Sequence, residues 1–370
     1  MFKFIFGVIL IGAGFFRTFF HDPVWGLYLF AVFTHVRPTQ LSANYQLPSN
    51  IPIIVACVAA IVYSVSKNYR PKFDKWPPEI WLFGVMVAGL CISSATAVFD
   101  PVQSWQRTFD MFKYWIFLIL FIQMIDSIEK IEWFHRVMIL SSAWLVYRAW
   151  DLRGTTGPRF ENIGGDVISD SNHFAAALVL LFPFVAHKVI APDRRVAIGA
   201  LMLCFGIVMS IVISGSRGAF LGLVTAIFLL ITLFQGHRKK IVVLMTITVL
   251  FALPFVRPEQ IARLGTIFQA TDNNITWDGS AQLRIAYWKL AFELFKENPL
   301  TGVGLGNFAY YSGYRVDGLP YGKPGHVTHS LWFEVLSAGG AIVFLVFISM
   351  IVRFFRRTRY LVLQYMAAGR

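Results

Sequence analysis

The sequence predicts an all-α, polytopic transmembrane helical bundle, and three features of the chain lead to that fold class. Of the 370 residues, 56% are hydrophobic and 14% are charged, whereas about a quarter of the residues of a soluble domain are charged. Apolar runs recur from the first residues to the last, and they match the roughly 20 helical residues that cross a bilayer. Short polar breaks separate the runs, as expected where lipid requires every backbone group to be bonded within a helix.

About eleven spans are visible in the order of these runs. The first run is not followed by a small-residue cleavage site, so we expect it to be retained rather than removed as a signal peptide. The second run is short and is either a span or a re-entrant segment. The predicted spans are 4–20, 24–36, 51–66, 80–98, 112–125, 134–150, 173–190, 196–214, 218–235, 241–256 and 330–352.

The basic residues set the predicted orientation. The net charge is +13, but the lysines and arginines lie in the breaks between apolar runs and form no patch that would bind nucleic acid. Two spans separate each cluster from the next, so all clusters fall on one face, which the positive-inside rule identifies as the cytoplasm. The clusters are Lys67, Arg70, Lys72 and Lys75; Lys130 and Arg136; Lys188, Arg194 and Arg195; Arg238, Lys239 and Lys240; and Arg353, Arg356, Arg357 and Arg359.

The long polar segments then fall on the opposite face. They divide the chain into four predicted regions: an amino-terminal transmembrane region at 1–150, a central one at 151–256, a large loop at 257–328, and a final helix with a basic tail at 329–370. Within the loop, 281–297 reads as an amphipathic helix, because Leu283, Tyr287, Leu290 and Leu294 recur at helical spacing. Pro299 ends this helix, and a tight turn with Gly302, Gly304 and Gly306 follows.

A second sharp turn, Ser214–Gly218, joins two spans on the non-cytoplasmic side. Its glycines allow a close approach of the backbone, the following helix presents free N–H groups, and the guanidinium of Arg217 can bind a phosphate through two hydrogen bonds. These features favour a diphosphate site at the membrane surface. The alternative is that Arg217 only reaches toward lipid headgroups.

Two further residues carry candidate chemistry. Arg284 lies on the amphipathic helix, where it is either a second cation for the same anion or part of an ordinary solvated face. His329 begins the last span, and a helix N-terminus favours the neutral imidazole that a general base requires. The alternative is a capping or interfacial histidine. His326 has the same chemistry but precedes the helix, so it ranks second.

Other chemistries have no sequence support. The chain contains no Asp-x-Asp pair, no glycine-rich nucleotide loop and no His-x-x-x-His, so we expect no metal and no cofactor. Few acidic residues fall within the spans, which disfavours an ion-coupled carrier. The three cysteines, Cys57, Cys91 and Cys204, lie inside apolar runs and read as small buried residues.

At these residues the chain resembles the O-antigen ligase and Wzy-type polymerase superfamily. The matching pieces are Ser216-Arg217-Gly218-Ala219, then Arg284 with Trp288 ahead of the segment 298–308, and finally His329-Ser330. The family's histidine motif continues to a glycine, here Gly340, and ends on Gly, Thr or Tyr. Val343 replaces that last residue, a departure at a packing position.

The amino-terminal half resembles the O-glycosylation ligases that accompany the exosortase A system. The similar segments are 21–26, Arg37-Pro38, Leu47-Pro48, Gly157-Pro158-Arg159-Phe160 and 170–174. Arg159 and Asn172 are therefore secondary site candidates. Members of the family continue beyond the histidine helix with further spans, so the bundle is expected to be truncated at its carboxy-terminal end.

The resemblance implies a metal-independent, inverting transfer of a glycan from undecaprenyl diphosphate, at the periplasmic face of the bacterial inner membrane. In the family, the residues matching Arg217 and Arg284 hold the diphosphate, and the one matching His329 helps to activate the acceptor, which is an unknown glycan, lipid or protein. Two alternatives stay open: a polymerase that joins lipid-linked repeats, and a transporter or flippase of polyprenyl-linked glycans.

Overall fold

The computed structural model describes residues 2–36, 58–59, 61–63, 65, 76–151, 171–233, 235–252, 280–316 and 325–367. Within these ranges the chain is helical and contains no strand, which confirms the predicted all-α class. The helices are α1 (Phe2–Phe20), α2 (Val24–Val36), α3 (Pro78–Ala95), α4 (Pro101–Met124), α5 (Ile128–Asp151), α6 (Ser171–Ala186), α7 (Arg194–Ser214), α8 (Arg217–Leu233), α9 (Arg238–Ala252), α10 (Ser280–Glu297), α11 (Phe308–Arg315) and α12 (Leu331–Ala367).

Four helical segments of the described residues are long and apolar enough to cross a membrane: Pro78–Ala95, Ser171–Ile190, Arg194–Ser214 and Leu331–Gln364. Shorter apolar helices occur at Val8–Phe20, Val24–Phe33 and Arg217–Leu233. The predicted span 51–66 lies largely outside the described residues, so the total of about eleven spans stays a prediction. Two predicted spans, 112–125 and 134–150, are the later parts of longer helices, α4 and α5.

The chain divides into two compact units, each built from two segments. Unit 1 comprises Met1–Tyr69 and Gln123–Thr271, and unit 2 comprises Arg70–Ile122 and Asp272–Arg370. In unit 1, α2 packs against α1 and α5, and α6 packs against α5, α7 and α8. In unit 2, α12 packs against α3 and α10.

Three contacts define an antiparallel pair in unit 2. The pair consists of α3 and α12. Near the end of α3, Ser93 Oγ donates a hydrogen bond to the backbone carbonyl of Ala338 in α12. Midway along, a Cβ added at Gly89 would lie 2.6 Å from the side chain of Val343. At its start, Glu79 forms ion pairs with Arg353 at 3.3 Å and Arg357 at 3.7 Å. The basic carboxy-terminal end of α12 therefore lies beside the start of α3, and the α3–α4 connection lies at the opposite end.

A break at Gly340 divides α12. This residue has φ 70° and ψ −169°, a conformation that essentially only glycine adopts. The N–H of Ala341 donates to the carbonyl of Pro299 at 2.8 Å, so it does not close a helical bond to Ser337. The Ser337 carbonyl instead accepts from Val303 N at 2.9 Å, and the Ala338 carbonyl accepts from Gly304 N at 3.1 Å. The loop after α10 thus satisfies the backbone groups that the break leaves unpaired.

The Gly340→Ala variant should therefore lower the free energy of unfolding by more than about 2 kcal/mol, because strain of this kind costs 1–3 kcal/mol and a clash adds to it. An added Cβ would lie 2.6 Å from the carbonyl carbon and oxygen of Leu300, which are backbone atoms that cannot rotate away. Thermal unfolding of the purified protein measures the effect. Gly199→Ala in α7 is the matched control, because its Cβ would meet no heavy atom within 4 Å. Equal melting temperatures for the two variants would contradict this account of the break.

A polar contact fixes the far end of the same loop. Asp100, between α3 and α4, donates its backbone N–H to Asn307 Oδ1 at 2.8 Å. The side-chain amide of Asn307 donates in return to the Asp100 carbonyl at 3.2 Å, and the Tyr310 hydroxyl donates to Asp100 Oδ2 at 2.7 Å. Asn307 is fully buried. The loop is thereby attached to the α3–α4 connection as well as to α12.

Candidate active site

The amphipathic helix predicted at 281–297 is present as α10, Ser280–Glu297. Its buried residues Tyr287, Leu290, Ala291 and Leu294 form one apolar cluster with Val303, Phe308 and Tyr311 from the following loop and α11. The helix ends where predicted, with Asn298 N bonded to the Leu294 carbonyl before Pro299. Gly302, Gly304 and Gly306 all have positive φ, which confirms the predicted glycine turn. The α10 helix and its loop therefore form a packed platform.

His329 lies on this platform. Its imidazole ring centroid is 6.2 Å from that of Tyr287 and 6.2 Å from that of His326, and His329 and His326 are both exposed. The neighbouring Thr328 is buried, and its carbonyl accepts a hydrogen bond from Trp288 Nε1 at 3.1 Å. The indole of Trp288 also stacks on Phe333 of α12, at 5.5 Å and 11°. Trp288 of α10 thus fixes the backbone at Thr328, next to the exposed imidazole of His329.

The predicted start of the last span at His329 is corrected by the structure. The helix begins at Leu331, and His329 precedes it with φ 52°, the only described non-glycine residue with a positive φ. Two bonds explain the turn: Ser330 N donates to Thr328 Oγ1 at 3.3 Å, and Glu334 N donates to the Ser330 carbonyl at 2.9 Å. Histidine is among the residues that tolerate the left-handed region best. The imidazole therefore projects from a turn rather than from the helix.

Glu334 supports this turn, and sequence reasoning missed it. Thr328 Oγ1 donates to Glu334 Oε2 at 2.9 Å, which ties the residue next to His329 to the first turn of α12. The side chain of Arg107, on α4, lies beside the glycine turn, with its Cγ 3.4 Å from the position of a Cβ added at Gly306. The sequence does contain a signal for Glu334, because a carboxylate in the first turn of an apolar helix is rare and often has a functional role.

Tyr287 places a buried hydroxyl beneath the two histidines. Its ring centroid is 6.3 Å from that of His326, and the residue is 2% exposed. Among the residues that the structure describes, its hydroxyl has no hydrogen-bond partner. A tyrosine phenol is protonated at neutral pH, and burial raises the pKa of the Tyr287 hydroxyl further, so the group keeps its proton to donate. A buried, unsatisfied donor at this position is typical of a site that a ligand or an ordered water completes.

Arg284 lies on the same face of α10 as the residues that contact the histidine turn. It precedes Tyr287 by three residues and Trp288 by four, the spacings that place side chains next to one another on a helix. Its side chain is half-buried. In unit 2, Arg284, the predicted second cation, therefore lies on one face of α10. His329, the predicted base, lies in the turn that packs against that face.

Arg217 lies in unit 1, at the first position of α8. The predicted sharp turn is present: α7 ends at Ser214, and Gly215 adopts a left-handed conformation with φ 65°. Ser216 caps α8, since its Oγ accepts from Ala219 N at 3.4 Å. A Cβ added at Gly218 would meet no heavy atom within 4 Å, so the turn is open beside the arginine. The predicted turn and the start of the next helix are thus present, and anion binding by Arg217 stays a prediction.

The remaining candidates are distributed differently. Asn172 is the second residue of α6 in unit 1 and is half-buried, whereas Arg159 lies outside the described residues. His326 lies next to His329, as described above. Across the described residues, no group of three or more His, Cys, Asp or Glu side chains is arranged to hold a metal ion. Val343, the departure from the family motif, is buried against α3, as a packing position requires.

The helices and their apolar faces define a multi-pass membrane protein. Residues 200–348 match the family model described as O-antigen ligase. This confirms the resemblance to the O-antigen ligase and Wzy-type superfamily over this region. The match includes Arg217, Arg284, His326 and His329 but not Arg159 or Asn172, and it supports a ligase- or polymerase-like function in glycan assembly. No curated protein and no solved structure matches the chain.

Proposed function

We propose that the protein is a glycan ligase that transfers a glycan from undecaprenyl diphosphate to an acceptor, at the periplasmic face of the bacterial inner membrane. The observation that carries this proposal is the histidine turn. It presents the exposed imidazole of His329 beside Tyr287, which lies on the face of α10 that also bears Arg284, and these residues lie in the segment that matches the O-antigen ligase family model. The narrower relationship to the exosortase A-associated ligases is part of the proposal.

The proposed reaction is a single inverting displacement. A hydroxyl oxygen of the acceptor attacks the anomeric carbon of the glycan, and the bond from that carbon to the diphosphate oxygen breaks. The hydroxyl proton passes to the imidazole of His329, which acts as general base. Arg217 and Arg284 stabilise the negative charge that develops on the leaving diphosphate, the role that a divalent metal has in other glycosyl transfers. Convergence of Arg217 with the other two residues is required by this mechanism.

Contacts within each unit support the proposed orientation. In unit 1, Lys130 pairs with Asp22 at 3.3 Å, so the α1–α2 connection lies beside the start of α5. In unit 2, the Glu79 ion pairs place the basic end of α12 beside the start of α3. The basic cluster of α12 thus lies at one end of the α3–α12 pair, and the histidine turn lies at the opposite end. By the positive-inside rule, that end is periplasmic.

The proposed function is tested by mass spectrometry of lipid-linked glycans from cells that lack the gene. A ligase defect should leave long polymer attached to the lipid. Accumulation of single repeats would instead identify a polymerase, and donor confined to the cytoplasmic leaflet would identify a flippase. In a reconstituted assay, the purified protein should transfer glycan without added divalent metal. An absolute requirement for Mg²⁺ or Mn²⁺ would contradict the mechanism.

A further inference from the structure

A cavity of about 790 Å³ lies in unit 1, and none of its lining residues is a candidate residue of the proposed active site. Residues of α1, α2 and α5 line it, and its walls are largely apolar, with Leu10, Leu29, Val32, Val137 and Leu140 among them. Its volume falls within the range of ligand-binding pockets in proteins. An apolar interior of this size suits a hydrocarbon chain.

Two arginines line the same cavity, each over an indole ring. Arg17 Cζ lies 4.4 Å from the ring centroid of Trp25, and Arg136 Cζ lies 4.7 Å from that of Trp133. The two indoles are 5.2 Å apart, so the four side chains form one continuous cluster. Tryptophan is enriched at the membrane–water interface, where its indole ring lies at the level of the lipid headgroups. The cavity therefore has an aromatic, cationic region beside an apolar one.

Nearby carboxylates leave much of this positive charge available. Asp22, the acidic residue nearest to Trp25 in the chain, pairs with Lys130 at 3.3 Å. Glu132 approaches Arg136 only to 4.0 Å, with both side chains more than half exposed, and exposed pairs of this kind are weak. Among the described residues, no carboxylate lies within 4 Å of the Arg17 guanidinium.

A polar group completes the cavity. Ser141 is 1% exposed and lines it, and its hydroxyl has no hydrogen-bond partner among the residues that the structure describes. Ser141 follows Arg136 by five residues on α5, a distance of about 7.5 Å along the helix axis. A phospholipid has the same order of groups, with ester carbonyls between the phosphate and the acyl chains.

We propose that this cavity binds an anionic phospholipid, with its phosphate held by Arg17 and Arg136, an ester carbonyl accepting from Ser141 Oγ, and an acyl chain between α1, α2 and α5. The arginines lie near the end of unit 1 that bears Lys130, so the lipid belongs to the leaflet on the side of the basic clusters. Its binding would hold the α1–α2 pair against α5. This inference does not depend on the proposed glycan transfer.

Native mass spectrometry of the full chain in detergent tests the proposal, with phosphatidylglycerol and phosphatidylcholine of identical acyl chains as probes. Phosphatidylglycerol should bind at least about tenfold more tightly, because both lipids present the same phosphate but the quaternary ammonium group of phosphatidylcholine carries a positive charge that the two arginines repel. The double variant Arg17→Gln/Arg136→Gln should lose this preference. A second variant, Ala13→Trp, fills the cavity with both arginines intact and should also lose phosphatidylglycerol.

The matched control is Arg194→Gln/Arg195→Gln, which removes two exposed arginines at the start of α7 and should retain the lipid. Equal binding of the two lipids, or wild-type binding by the arginine double variant, would overturn the proposal. Displacement of phosphatidylglycerol by an equal concentration of undecaprenyl phosphate would overturn the choice of a phospholipid. None of these outcomes depends on measuring glycan transfer.

Discussion

Replacing His329 with asparagine should reduce the rate of glycan transfer by about 10²–10⁴-fold, the usual contribution of a general base. Asparagine is the informative substitution because it tolerates the left-handed conformation, φ 52°, that His329 adopts, but has no group that accepts the proton. His329→Ala should abolish transfer, because it removes the base and also adds backbone strain. Single-turnover transfer from the lipid-linked donor measures the rate, and donor binding should be retained in both variants.

His326→Ala is the matched control for this prediction. His326 is exposed, lies 6.2 Å from His329 between ring centroids and contacts the same tyrosine, so its removal disturbs the surroundings in a similar way. Transfer should be largely retained. Full activity in His329→Asn would remove the proposed base, and loss of activity only in His326→Ala would move the role to that residue.

Arg217→Ala and Arg284→Ala should each weaken binding of the lipid diphosphate by roughly tenfold to a hundredfold, because each removes charge-assisted hydrogen bonds worth about 1.5–3 kcal/mol. The loss in the rate of transfer should be larger, because negative charge grows on the leaving group in the transition state. Arg217→Lys and Arg284→Lys should give intermediate values, since lysine keeps the charge but not the two-pronged geometry. Donor binding by titration and single-turnover rates separate the two effects.

The double variant Arg217→Ala/Arg284→Ala tests whether the two guanidinium groups share one ligand. These residues lie in different units, and residues that act on one ligand show a coupling energy of about 0.5–3 kcal/mol. Arg194→Ala, at the start of α7, is the control and should bind the donor normally. Strictly additive losses for Arg217 and Arg284 would contradict a common diphosphate site.

Local pattern explains which parts of the site could be predicted from the sequence. The α10 helix follows from the spacing of Tyr287, Leu290 and Leu294, and it ends at Glu297 because Pro299 disfavours the helical conformation at Asn298. The turn before Arg217 follows from Gly215, which adopts the left-handed conformation at little cost. The proposed roles of Arg217, Arg284 and His329 come from the resemblance to the O-antigen ligase superfamily. All three residues lie in the segment that matches the family model.

The sequence by itself therefore determined the helical, membrane-spanning class of the chain, the amphipathic loop helix and the three principal candidates, because composition and helical periodicity are local properties. Only the tertiary structure decided that Gly340 breaks α12, that Glu334 bonds to Thr328, and that Tyr287 lies beneath the histidines. It also placed His329 in a turn before the helix rather than within it. Each of these features depends on hydrogen bonds or packing that helical periodicity does not predict. Some of the residues that take part are far apart in the chain.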